Sequence, residues 1–151
     1  MSKKTYAGYV HLKPINGIIF PSYAQNQMYK DFITKNLLGQ FYMTTNENMY
    51  GENSIILKSL IKERNLFGIV FLSTFCLPEQ KNARKEIYKL AKKNNKKFFF
   101  MFEDFELNFN KDKEANQIEE FLLFDNPFFT KKKTYVDKHE KIFLDKDWKF
   151  I

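Results

Sequence analysis

The chain has a single cysteine, Cys76, so an intrachain disulfide and a thiol-rich metal site are both excluded. Histidine is almost as scarce: His11 and His139 are too few for a histidine-rich metal centre. Arg64 and Arg84 are the only arginines. Lysine therefore carries most of the positive charge, and it lacks arginine's two-pronged grip on phosphate. No apolar run approaches the roughly 20 residues that span a bilayer. Met1-Ser-Lys-Lys-Thr5 enters a strand with no apolar leader, so the expected compartment is the cytoplasm. Also missing are a P-loop, a glycine-rich dinucleotide fingerprint, a His-Glu-x-x-His pair and a paired-cysteine motif. These absences argue against NAD held by a standard fingerprint, ATP held by a Walker loop, and structural zinc. No cofactor and no metal are expected.

What is present describes a globular domain. The 151 residues suit one domain, and with 44% of them hydrophobic, including 18 phenylalanines, they can bury a substantial core. The formal charge of +7 would suit an anionic partner. The lysines, however, fall in short runs, Lys92-Lys93, Lys96-Lys97 and Lys131-Lys132-Lys133, which read as solvated faces. Nucleic acid is not the expected partner.

Hydrophobic periodicity divides the chain into alternating strands and helices. Tyr6–His11 reads as a strand, followed by a loop punctuated by Pro14, Gly17 and Pro21. Ser22 and Gln25 stand at capping-box spacing before a helix that runs to about Leu38. Ala24, Met28, Phe32 and Ile33 share one face of it, and Gly39 is the expected terminator. Gln40–Thr45 is the next strand, and a second helix covers about Asn53–Arg64 with Ile56, Leu57, Leu60 and Ile61 inward. Phe67–Ser73 and Lys97–Phe102 are apolar strands of the kind buried on both faces. Between them a helix opening at Pro78 carries the stripe Ala83, Ile87, Leu90 and Ala91. Asp112–Phe124 can form a last amphipathic helix with Ile118, Phe121 and Leu122 inward.

The order βαβαβαβα predicts an α/β fold, a three-layer sandwich with an open, mainly parallel sheet. The domain covers residues 1–125, and 126–151 form an irregular extension packed on it. Aromatic residues of that extension, such as Tyr135 and Trp148, could serve as contacts to a second copy or to a pathway enzyme.

Ligands of open parallel sheets gather at the carboxyl ends of the strands. That edge collects His11, Glu47, Ser73, Thr74 and Glu103, with Gln25 and Asn26 in the first turn of a helix whose free amides favour anions. His11 can move a proton near neutral pH. Glu47 and Glu103, at different strand ends, can pair for acid–base work or hold sugar hydroxyls. These three are the catalytic candidates, and Gln25, Asn26, Ser73 and Thr74 are the substrate-binding ones. Ser73 shows no activating base, which a serine nucleophile needs. Cys76, between Phe75 and Leu77, reads as a packed residue with a raised pKa.

Thr5-Tyr-Ala-Gly-Tyr-Val10, the Pro14/Gly17/Pro21 loop, Gln25-Asn26, Asp31, Met43-Thr-Thr-Asn-Glu47, Gly68-Ile-Val70, Ser73-Thr-Phe-Cys-Leu-Pro78 and Glu103 follow in a suggestive order. Their sequence and spacing resemble the sporadic carbohydrate cluster proteins, small bacterial proteins of surface-carbohydrate biosynthesis loci. The resemblance covers about Lys4 to Glu103. It implies a role in surface-glycan or nonulosonic-acid-like sugar synthesis, as an enzyme or a sugar-binding accessory. The implied ligand is a sugar, sugar phosphate or nucleotide sugar.

A more distant likeness is to the catalytic domain of serine recombinases. It rests on Gly8-Tyr-Val10 followed by a loop and a Gln-bearing helix, on the strand Phe67–Leu72, and on the late strand ending in Glu103. It implies a resolvase-like or flavodoxin-like fold without the activity. That family's arginine after the first strand is matched here by His11, and its Asp-Arg-Leu after the third strand by Thr74-Phe-Cys76. A phosphoryl transition state needs such cations. Two alternatives stay open: a non-catalytic scaffold of a pathway enzyme, or a nucleic-acid binder of recombinase-like fold that has lost recombinase activity.

Overall fold

The computed structural model describes residues 3–15, 17–47, 54–109 and 116–120. Five strands form one sheet: β1 (Thr5–Val10), β2 (Gln40–Asn46), β3 (Gly68–Phe71), β4 (Lys97–Phe100) and β5 (Phe105–Asn108). Their spatial order is β2-β1-β3-β4-β5. The first four are parallel, and β5 returns antiparallel beside β4. The helices are α1 (Ser22–Asp31), which runs into a π-helical turn over Phe32–Asn36, then α2 (Ile55–Lys62) and α3 (Lys81–Lys93). Residues 116–120 are also helical.

Two adjacent residues of β1 reveal the layering. Gly8 lies against Tyr29 of α1, so closely that a Cβ there would stand 2.4 Å from the ring. Tyr9 points to the opposite face, as successive strand residues must. Its hydroxyl donates to Glu47, whose carboxylate also receives the N–H groups of Ile56 and Leu57 in the first turn of α2. Helix α1 thus covers one face, while α2 and α3, in mutual contact, cover the other. Right-handed crossovers require this arrangement for this strand order. The expected three-layer architecture is present. Strand β3 is buried along its whole length, and the rings of Tyr9, Phe98 and Phe100 surround Phe71 at centroid distances of 5.5, 4.9 and 5.1 Å.

The sheet departs from expectation at its end. Strand β4 stops at Phe100, and β5 occupies the edge where no strand was expected. Its alternation of Phe105 and Leu107 with Glu106 and Asn108 is only four residues long, too short to stand out in sequence.

Element borders shift for local reasons. Ser22 is the first residue of α1, behind Pro21, and no side chain caps the helix, so Ser22 and Gln25 form no capping box. The buried face is Gln25, Tyr29 and Ile33, with Ala24, Met28 and Phe32 half-buried beside it. The left-handed residue that ends the helix is Leu38, with φ of 50°. Gly39 is needed for a different reason: a Cβ there would stand 2.4 Å from the Tyr6 ring and 2.8 Å from the Lys4 carbonyl oxygen. Helix α2 starts after Ser54, and α3 starts at Lys81 behind Gln80, which leaves Pro78 in the preceding loop. Lys96 is not on a solvated face. It is buried, and its ammonium donates to the carbonyls of Glu63 and Leu66.

Among the described residues no helix is long and apolar enough to cross a membrane. Asn53, Phe121, Leu122, His139, the boundary at residue 125 and the 126–151 extension with its expected interface lie outside the described residues.

Candidate functional site

With β2 on one side of β1 and β3 on the other, the crossovers change direction between β1 and β3. Open sheets of this kind hold ligands at that point. Here α1 itself fills the gap. The Gln25 side chain, 0% exposed, accepts from the His11 N–H at 2.8 Å and donates to the carbonyls of His11 and Phe20, both at 2.7 Å. One turn on, the Tyr29 hydroxyl donates to the Tyr9 carbonyl at 2.6 Å and accepts from the Leu72 N–H at 3.0 Å. Pairing between β1 and β3 extends to Gly8 and Val70, so Tyr29 bridges the strands just where they part. Gln25, expected to meet a ligand, is engaged by backbone groups instead. His11 is half-buried next to it, and burial, with Lys13 adding, holds its pKa down to about 4. The imidazole is therefore neutral at pH 7.

The polar residues after β3 and β4 do converge. The turn after β4 brings Glu103 over the loop that leaves β3. Ser73 Oγ donates to Glu103 Oε2 at 2.6 Å, the Thr74 N–H to Oε1 at 3.0 Å, and Thr74 Oγ1 to Oε2 at 3.2 Å. Ser73 Oγ also accepts from the Phe75 N–H at 3.2 Å and so caps the 3-10 turn Thr74–Cys76. Ser73 and Thr74 are buried, whereas Glu103 is half-exposed, so a solute would meet Glu103. Each carboxylate oxygen has two acceptor positions. Among the described residues Oε2 receives two donors and Oε1 one, which leaves one position on Oε1.

Glu47 belongs to a separate network. Its Oε1 accepts from the Ile56 N–H at 3.0 Å, and its Oε2 accepts from the Leu57 N–H and the Tyr9 hydroxyl, each at 2.8 Å. A carboxylate at a helix N-terminus is favoured by the unpaired amides and the dipole. Asn26 accepts from Thr44 Oγ1 on the surface and ties α1 to β2. The seven expected residues therefore form four groups: His11 with Gln25, Asn26 with Thr44, Glu47 with Tyr9 and α2, and Ser73 and Thr74 with Glu103. Cys76 is buried near the last of these, and burial chiefly, with the Glu103 charge adding, pushes its thiol up to about 12.

Beside Glu103 lies a cavity of about 340 Å³, lined by Thr74, Glu103, Phe105, Gln117 and Ile118. Phe105, Gln117 and Ile118 were not legible as site residues, because β5 and the 116–120 segment reach the cavity only through tertiary packing. Close by, buried Arg84 donates from Nε and Nη2 to Glu119 Oε2 and Oε1 at 2.8 and 2.9 Å. Its Nη1 donates to the carbonyls of Pro78 and Glu79 at 3.2 and 2.7 Å. Arg84 had a readable signal, since it stands three residues before Ile87 and seven before Ala91 on the apolar stripe of α3. Tyr29 had one too, four residues from both Gln25 and Ile33. Among the described residues no three of His, Cys, Asp and Glu converge as a set that could hold a metal ion.

No protein-family model and no curated protein matches the chain. Three chains of solved structures do match in three dimensions. One is the N-terminal catalytic domain of TP901-1 integrase, known from a crystal structure. It superposes with a TM-score of 0.53 at 10% sequence identity, over 81% of this chain and 94% of that one. At that identity the likeness speaks for the fold alone. The carbohydrate-cluster resemblance rests on the sequence segments alone. The chain has a three-layer α/β fold, as the order of its strands and helices implied, and it is resolvase-like, as the distant recombinase likeness implied.

Proposed function

We propose that the chain binds a sugar, sugar phosphate or nucleotide sugar of bacterial surface-carbohydrate synthesis in the cavity beside Glu103. The observation that supports this most is the composition of that cavity. A carboxylate, a threonine and a glutamine amide stand with Phe105 and Ile118 around a volume typical of small-molecule sites, apolar walls with a few placed polar groups. In this reading Glu103 contacts the ligand through its remaining acceptor position, and Ser73 and Thr74 hold the carboxylate in place. Where turnover accompanies binding, Glu103 is the group placed to move a proton. His11, Glu47, Gln25 and Asn26 take no part in the cavity; their hydrogen bonds fix α1, α2 and β2 on the sheet.

The test is a thermal-shift panel of sugar phosphates and nucleotide sugars, since a ligand of the native state raises the melting temperature by mass action. At least one should raise it in the wild type and none in Glu103→Gln. A flat panel, or equal shifts in the variant, would defeat the proposal.

A second reading has one observation in its favour. Lys81, Lys85 and Lys89 form an exposed row on α3, at helical i, i+4, i+8 spacing, on a resolvase-like fold. A nucleic-acid backbone could lie along it. Recombinase chemistry is not part of this reading, because Arg84 is bound to Glu119 and Arg64 lies before β3, at the opposite end of the sheet from Glu103. If the row makes three phosphate contacts, binding to duplex DNA should weaken with salt at a log–log slope of about −3. Binding that survives Lys→Gln changes at all three positions, or no binding at low salt, would eliminate it.

A further inference from the structure

We infer that Arg84 is the positioning residue of the Glu103 cavity, one guanidinium holding two of the segments that line it. The identity of the ligand rests on the sugar-binding reading above, whereas the clamp rests on geometry alone. One is the loop that leaves β3, with Thr74. The other is the helical segment 116–120, with Gln117 and Ile118. Arg84 meets both. Its Nη1 holds the carbonyls of Pro78 and Glu79, at the far end of the loop that leaves β3. Its Nε and Nη2 hold both oxygens of Glu119, the residue after Ile118.

The chemistry of the group explains why arginine is needed. A planar guanidinium presents donors along two edges at once, and an ammonium cannot span a bidentate carboxylate and two carbonyls together. Burial makes the contact obligatory. Arg84 and Glu119 have side chains only 4% and 18% exposed, so either charge left without the other would be costly. Tyr88 donates a further hydrogen bond to Glu119 Oε2 at 2.8 Å and removes its rotational freedom. With Glu119 fixed, Gln117 and Ile118 are held at the cavity they line together with Thr74 and Glu103. Neither Arg84 nor Glu119 lines the cavity, so the role is one of placement.

The experiment uses the full chain with Arg84→Lys and Glu119→Gln, followed by hydrogen exchange and by titration with glucose 6-phosphate and UDP-glucose. In Arg84→Lys, exchange should rise in peptides covering residues 74–80 and 116–120 together, while β3 and β4 keep their protection. For whichever probe the wild type binds, the Kd should rise on the order of tenfold, as expected when supporting contacts of a site loosen. Glu119→Gln should free 116–120 in the same way, and it decides the matter if Arg84→Lys does not fold. Unchanged exchange in either segment, or a rise spread evenly over the sheet, would overturn the clamp. If the wild type binds neither these probes nor the wider panel, the sugar reading falls, and the exchange data alone decide for or against Arg84.

Discussion

Removing one oxygen atom from Tyr29 should destabilise the protein more than most surface changes could. In Tyr29→Phe the ring still packs on Gly8, so the apolar contact survives. The hydroxyl is what disappears, and with it the hydrogen bonds to the Tyr9 carbonyl at 2.6 Å and from the Leu72 N–H at 3.0 Å. Tyr29 is 0% exposed, which keeps water from replacing it unless the strands move. A buried backbone group that loses its partner costs about 1–3 kcal/mol, so two such groups suggest a loss of about 2–6 kcal/mol. That is a large share of the roughly 5–15 kcal/mol that holds a typical domain together. In urea, with an m value of about 2 kcal/mol/M, the midpoint should fall by about 1–3 M. Tyr23→Phe is the control, since Tyr23 is 78% exposed and should leave the midpoint where it was. A Tyr29→Phe midpoint within about 0.25 M of wild type, equivalent to roughly 0.5 kcal/mol, would refute the bridging role assigned to this hydroxyl.

Further outcomes follow from the same geometry. Gly8→Ala would put a methyl group 2.4 Å from the Tyr29 ring, and such overpacking should cost about 1–3 kcal/mol or more, read as a lower urea midpoint; a neutral result would show that α1 is free to retreat. Glu47→Gln keeps the shape but removes the charge that faces the amides of Ile56 and Leu57, so thermal unfolding should show a loss of about 0.5–2 kcal/mol; an unchanged melt would mean that the charge contributes nothing to capping α2. His11 has a folded-state pKa held down to about 4 by burial, against an ordinary value of 6.5, so the unfolded chain takes up the proton first. Its contribution to stability is complete above 6.5 and is lost as pH falls toward 4. Wild type should therefore lose more stability than His11→Gln between those values, and an NMR titration with an imidazole midpoint near 6.5 would contradict it.

Much of the fold was legible because it depends on local pattern. The continuous apolar runs around Ile69-Val70 and Phe98-Phe99-Phe100 pointed to strands covered on both faces, and both prove buried. The stripes of α2 and α3 followed from spacing in the same way. Misplaced borders trace to contacts between residues distant in sequence. Gly39 looked like a helix terminator, yet it is small because Tyr6 of β1 and Lys4 just before that strand approach it. Gln25 sat at a capping position, yet it is drawn inward by His11 and Phe20. Strand β5 had only four residues in which to show its alternation, and it is stabilised chiefly by lying beside β4.

The same division runs through the site. Composition and motif content by themselves removed standard cofactor and zinc sites from the expectation, and the alternation of strands and helices by itself pointed to the edge where ligands gather. Seven polar residues on that edge formed one list in sequence, because sequence records which strand end a residue follows but not the direction of its side chain. Tertiary structure separated them. It closed the gap between β1 and β3 with Gln25 and Tyr29, set Glu47 to capping α2, and joined Ser73 and Thr74 to Glu103 beside a cavity. It also supplied the rest of that cavity from β5 and the 116–120 segment, and it joined Arg84 to both Glu79 and Glu119. The physical reason is range. Periodicity and turn chemistry act over a few residues, whereas a buried carboxylate or guanidinium finds its partners only where packing brings distant segments together.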